Sequence, residues 1–467
     1  MRIWTIVAIV AAILTSPAKA QDASFVRYAQ PVIAITHAQL VDGTGAPPAR
    51  DMTIVIRDGR IAAVGRSGRV RVPADATEID GTGKTVLPGF VFMHEHMFYP
   101  AGELHFNEML QSFPRLYLAG GVTTARTAGT LAPYADLNLR DAIAAGAAIG
   151  PDLHVTGPFV ENRGLPVLKV HGLADADEAE RFVNYWSDAG VTSFKAYMML
   201  TRAQLGRAIE TAHRRGARVT GHLCSITYRE AATLGIDNLE HGFGVMTDFI
   251  EGKQPDICPF ERLGTLLDGV DPASPQVRAL IDFLVARNVA ITSTLVPYED
   301  LTPGRPRLSA AARATMTAEA QRTYDGTQQA LLALDARQAA ANFAKMMRLE
   351  RMFVAAGGIL LAGSDPTGTG GVIPGFASQR QIQLLVEAGF PFEQAVRIGT
   401  LNGATFLGRQ REIGSIAQGK RADLILIDGD PVADRAAMDR ISIVFKAGIG
   451  YDRQALLNSV RGLVGAR

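Results

Sequence analysis

Short apolar segments alternating with helical stretches constrain this chain more than any other feature. Eight such segments end near His96, Arg126, Thr156, Ala196, His222, His241, Thr294 and Asp365. Strands separated by helices predict a parallel α/β sheet, because a helical crossover returns each strand in the same direction. Eight units predict a (β/α)8 TIM barrel, with its active site at the C-terminal strand ends. A strand–helix–strand unit needs about 30 residues, and most intervals allow it. The short interval between His222 and His241 predicts a helix over Tyr228–Leu234. The long one before Asp365 predicts two helical stretches, near 310–324 and 328–355, as a lid or rim.

The two ends of the chain read differently. Val32–Ile35, Met52–Ile56 and Ile61–Val64 are short strands set off by turn signals such as Asp58-Gly59-Arg60. The same texture returns in Ala422–Gly429. Chain ends of a domain often lie close together. Residues 21–85 and 413–467 therefore predict one small composite β-sandwich beside a barrel of 86–412.

The first twenty residues form a separate unit. Arg2, the apolar Ile3–Leu14 and the small-x-small site Ala18-Lys19-Ala20 predict a signal peptide over 1–20. The expected location is outside the cytoplasm, in a bacterial periplasm; an uncleaved anchor is the plain alternative. No other segment is apolar enough to span a bilayer. A net charge of +1 argues against a general nucleic-acid binder. The expected partner is a small-molecule substrate, and a homo-oligomer stays open. Cys224 and Cys258 could pair in an exported protein, but their spacing does not decide it.

The polar residues at the strand ends carry the chemistry. The apolar run Val86–Met93 closes on His94-Glu95-His96. Alternate strand residues share a face, so His94 and His96 aim together and Glu95 turns away. Alone, this motif equally describes two packed core histidines. Further along, the fourth strand carries Lys195, the fifth ends in His222, the sixth in His241 and the eighth in Asp365. Imidazoles and carboxylates converging over a barrel mouth suit a metal site, zinc in particular. Lys195 could instead be a buried lysine paired with a carboxylate. Asp365 could be a turn residue held extended by Pro366. Arg126 could grip a substrate carboxylate through its planar fork, and Tyr197, sharing the face of Lys195, could donate to a carbonyl oxygen. Packing roles are equally open for both. His37, His105 (in a helix after the first strand), His154 and His213 read as structural or surface residues; His171, which follows the third strand, does too, although it could reach the substrate.

The order His-x-His, Lys, His, His, Asp resembles the amidohydrolase superfamily, in its binuclear branch with a carboxylated lysine. Asp42-Gly43-Thr44-Gly45, Gly120-Gly121-Val122-Thr123-Thr124, Glu240-His241-Gly242, Leu361-Ala362-Gly363-Ser364-Asp365 and Gly419-Lys420-Arg421-Ala422-Asp423-Leu424 extend the resemblance over nearly the whole mature chain. It implies two divalent metal ions. His94, His96 and Asp365 would hold the more buried ion, and His222 and His241 the second. A carbon dioxide-derived carbamate on Lys195 would bridge them. Asp365 would also be the catalytic base and acid in hydrolysis of an amide or related C–N bond.

Local resemblances divide on the substrate. Ser193–Met198 is similar to the lysine segment of cyclic-amide hydrolases such as hydantoinases. Glu240-His241-Gly242 and Leu361–Asp365 look more like prolidase-type dipeptidases and imidazolonepropionase. The first expectation is a hydrolase of small N-acyl or dipeptide-like substrates. A cyclic-amide hydrolase, a lactonase, a mononuclear deaminase and a non-catalytic binding barrel are the alternatives.

Overall fold

In the computed structural model, residues 23–101, 105–165, 167, 169–306 and 308–466 are described. The predicted signal peptide over 1–20 lies outside them. Gly89 divides the long apolar run into two strands with different neighbours. Lys84–Pro88 pairs antiparallel with Leu424–Asp428, whereas Phe90–Glu95 (β1) runs parallel to Val122–Thr127 (β2). A Cβ on residue 89 would lie 2.2 Å from Thr123 Oγ1, so only glycine passes this crossing.

Six further parallel strands follow: β3 (Thr156–Asn162), β4 (Ser193–Ala196), β5 (Arg218–Gly221), β6 (Asn238–Glu240), β7 (Ala290–Ser293) and β8 (Leu360–Ala362). Strands β3 to β8 lie side by side in chain order, with Gly172–Leu173 on the outer edge of β3. Strands β1 and β2 form a second parallel sheet with Asp152–His154. The third strand is thus in two pieces on either side of Val155. One pairs with β2 and the other with β4. It runs on to Asn162 rather than ending near Thr156. The β3–β4 register shifts between Thr156 and Phe159, around Pro158, which has no N–H to give. At the other edge, the Asp365 N–H donates to the His94 carbonyl at 2.9 Å.

The helix Tyr228–Leu234 forms as expected, with a capping box from Thr227 and Glu230 and left-handed Gly235 after it. The long insert is more broken than its periodicity predicts. It holds Leu295–Asp300, Ala310–Arg313, Ala318–Leu331 and Ala336–Ala355. Thr317 and Asp335 interrupt it because each caps the next helix with its side chain. His105 precedes the strand Phe106–Glu108, which pairs with Phe98–Pro100, and is not helical.

Both chain ends join one nine-stranded sheet. Val32–Leu40, Ala49–Arg57 and Arg60–Arg66 lie on one side of Lys84–Pro88. Leu424–Asp428, Ile441–Lys446 and Ile449–Asp452 lie on the other. Side chains alternate between its faces. Ile33 and Ile35 pack with Leu424 and Leu426 on one face, while Val32, Ala34 and Val55 pack on the other. Cys224 and Cys258 form a disulfide. Among the described residues, no helix is long and apolar enough to cross a membrane.

Candidate metal centre

His94, His96, Lys195, His222, His241 and Asp365 come from five different strands or their C-terminal ends, and the fold gathers them at one place. The ligand atoms of His94, His96 and Asp365 lie within 4.8 Å of one another. His94 Nε2 and His96 Nε2 stand 3.6 and 3.4 Å from Asp365 Oδ1. His241 Nδ1 is 3.6 Å from Asp365 Oδ2. The rings form a closed circuit. His96 neighbours His94, His94 neighbours His241, and His241 neighbours His222, with centroids 5.3, 4.6 and 4.4 Å apart. Tyr197 and Phe159 complete it, at 5.0 Å from His222 and 6.3 Å from His96 respectively.

Three of the four rings are held by a hydrogen bond at Nδ1. His94 Nδ1 bonds Glu240 Oε2 at 2.8 Å, His96 Nδ1 the Gly129 carbonyl at 3.0 Å, and His241 Nδ1 Thr294 Oγ1 at 3.0 Å. Such outer partners fix ring orientation in metal sites. Burial lowers His94 to about 4 and His222 to about 3, toward the neutral form that ligates. Burial opposes a charge on Asp365, but His94, His96 and His241 outweigh it and hold the carboxyl well below its ordinary range. This donor set, buried and turned inward, fits a divalent cation.

His241 and Asp365 both adopt left-handed backbone, at φ 65° and 47°. Such conformations cost roughly 1–3 kcal/mol each outside glycine. Asp365 is therefore not extended before Pro366. The turn lets its N–H bond to β1 while its carboxylate faces the histidines. Gly242 must also be glycine, since a Cβ there would meet Glu350 Oε1 at 2.3 Å.

Beneath the histidines lies a fully buried charge cluster. Lys195 Nζ is 3.7 Å from Glu240 Oε1, beyond hydrogen-bond length. Burial lowers the lysine to about 8. Arg126 does not reach a substrate. It is 1% exposed, and its donors go to the Met93 carbonyl (2.8 Å), Ser193 Oγ (3.0 Å), Thr220 Oγ1 (2.8 Å) and Glu240 Oε1 (3.2 Å). Burial disfavours charge on Glu240, yet Lys195, His94 and Arg126 keep it anionic. Tyr197 is half-buried beside His222.

Two positioning residues were missed in the sequence. Glu240 orients His94. Glu95 accepts from Ser364 N at 2.8 Å and Ser364 Oγ at 2.5 Å, which fastens the residue before Asp365. Glu240 ends β6 and His241 follows it, so continued strand alternation would place them on opposite faces. The left-handed turn at His241 brings both to the same centre. The only signal for Glu95 was its place between two ligand candidates.

A family model described as the amidohydrolase family matches residues 85–449. An imidazolonepropionase of Salinispora tropica is 24% identical over 88% of this chain and 92% of its own length. An enamidase of Eubacterium barkeri is 26% identical over 47% of this chain, which spans 56% of that protein. Among solved structures, a candidate prolidase of Bifidobacterium longum superposes with a TM-score of 0.66 at 26% identity, covering 92% of this chain and 98% of that one.

Proposed function

The chain belongs to the amidohydrolase family of C–N bond hydrolases, and on that premise we propose an exported enzyme with a binuclear metal centre that cleaves small N-acyl amino acids or dipeptide-like substrates. The convergence of His94, His96 and Asp365 carries the reading. These three would hold one ion, zinc by their chemistry, and His222 with His241 a second. Bound divalent ions would acidify water and polarise a carbonyl. Asp365 takes a proton from the attacking water and passes it to the leaving nitrogen. Tyr197 donates to the carbonyl oxygen.

Lys195, once carboxylated, would help hold both ions. Near neutral pH a fraction of a lysine with its pKa near 8 is free amine. Its nitrogen forms a bond to the carbon of carbon dioxide, and one proton leaves to solvent. The anionic carbamate offers two oxygens. The two parallel sheets read as one eight-stranded barrel, continued across Val155 and the Asp365–His94 bond. The described parts of 21–85 and 413–467, joined in the nine-stranded sheet, would make the composite module beside it. The leader over 1–20 and the Cys224–Cys258 disulfide support export.

A mononuclear, deaminase-type centre is the second reading. Among the described residues, only His94, His96 and Asp365 bring three donors within 4.8 Å. Metal content per purified chain, beside a Lys195→Ala variant, separates the two. About two ions in the parent and a clear loss in the variant are expected. One ion, unaffected by the substitution, overturns the binuclear reading and directs assays to ammonia release.

A further inference from the structure

His222 and His241, the pair assigned to the second ion, have rings 4.4 Å apart, yet they are supported unequally. His241 Nδ1 bonds Thr294 Oγ1 at 3.0 Å. Among the described residues, neither ring nitrogen of His222 has a hydrogen-bond partner. Outer partners ordinarily fix the ligand rings of a metal site. The aim of His222 therefore depends on how firmly its own chain is held.

That chain is pinned from two sides. Towards β4, the His222 N–H donates to the Ala196 carbonyl at 3.0 Å and the Ser225 N–H to the Met198 carbonyl at 2.9 Å. On the other side lies the segment 242–258, which leaves His241 and ends at Cys258. Cys258 is bonded to Cys224, two residues past His222. The disulfide thus joins the stretches of chain that leave the two histidines. Lys253 Nζ donates to the Ser225 carbonyl beside it. The other bonds of 242–258 run elsewhere. Asp248 accepts from the Tyr228 and Arg229 N–H groups at 2.9 and 3.1 Å, and Asp256 pairs with exposed Arg202. Exposed ion pairs hold weakly and exchange with water. A covalent link to a 1% exposed cysteine does not. The ligands of the first ion, His94, His96 and Asp365, are far from this link in sequence and come from other strand ends.

We propose that the Cys224–Cys258 disulfide is a positioning element for the second ion. It keeps His222 opposite His241, and its removal releases that ion while the one at His94, His96 and Asp365 stays. The proposal rests on the binuclear reading.

Ions per chain, counted by atomic absorption after zinc loading and dialysis into metal-free buffer, test it. The full-length parent is expected to keep about two ions and a Cys224→Ala/Cys258→Ala variant about one. Adding zinc back should refill the variant's second site with an affinity weaker by about tenfold or more, because both histidines remain. If that variant fails to fold, Cys224→Val/Cys258→Ser, which refills the buried Cys224 position, carries the test. A disulfide that only stabilises the fold would lower the urea midpoint and leave the two ions equally held. Two ions in a folded variant, or the loss of both together, overturn the proposal and leave the binuclear reading standing. One ion in the parent overturns both.

Discussion

The strand ends that gather the histidines and the sheet built from the chain termini bury their side chains on opposite terms. In the terminal sheet, alternate aliphatic residues cover both faces and the charges stay near the rim, as in the Arg50–Asp430 pair. At the strand ends, Arg126, Lys195, Glu240 and Asp365 are all buried together with His94, His96 and His241. Aliphatic burial stabilises any arrangement of the right volume. Buried charges are tolerated only in a specific geometry, because each uncompensated one costs several kcal/mol. The first region gains its stability cheaply from pattern; the second gives up stability to hold a donor set ready for cations.

The sharpest way to break this contrast is Asp365→Asn, which keeps the shape and removes the base. Steady-state kinetics on a cleaved dipeptide should show kcat/KM lower by about a thousandfold or more. A variant within tenfold of the parent would remove Asp365 from proton transfer. Next comes Glu240→Gln, which leaves Arg126 and Lys195 facing a neutral amide. Urea unfolding should show a loss of about 3–5 kcal/mol. A loss under about 1 kcal/mol would mean that the charges find compensation elsewhere. In the terminal sheet, Ile35→Val should cost only about 0.5–1.5 kcal/mol and leave kcat unchanged.

The smallest effect concerns pH. Burial, helped by nearby Glu108, raises the carboxyl of Asp136 to about 8 from an ordinary 3.8. Its stabilising contribution is therefore complete below about pH 4 and is lost as pH rises toward 8. Asp136→Asn has no such loss. Its stability relative to the parent should improve from about pH 4.5 to about pH 8 in paired urea titrations. A difference independent of pH would show that Asp136 is not protonated in the fold.

Much of the candidate site was legible because the candidate ligands lie at or near strand ends, and strand ends are marked by apolar runs. His94, His96, Lys195, His222, His241 and Asp365 were all named this way, and the structure gathers them. For Arg126 substrate binding and packing stayed equally open, because a sequence shows that an arginine ends a strand, not that four acceptors wait beneath it. Glu240 and Glu95 were overlooked because their roles depend on partners more than a hundred residues away, as the separations of 146 and 269 positions show.

By itself the sequence determined the alternation of strand and helix, the shared texture of both termini and which polar residues end the strands. These follow from local periodicity, which each segment carries regardless of its neighbours. The tertiary structure decided the break of the third strand at Val155, the left-handed turns at His241 and Asp365, and the pairing of Cys224 with Cys258. It also decided which buried charges face one another. Those outcomes depend on contacts between distant segments, and several run against local preference. Only the packing of the whole chain can hold them.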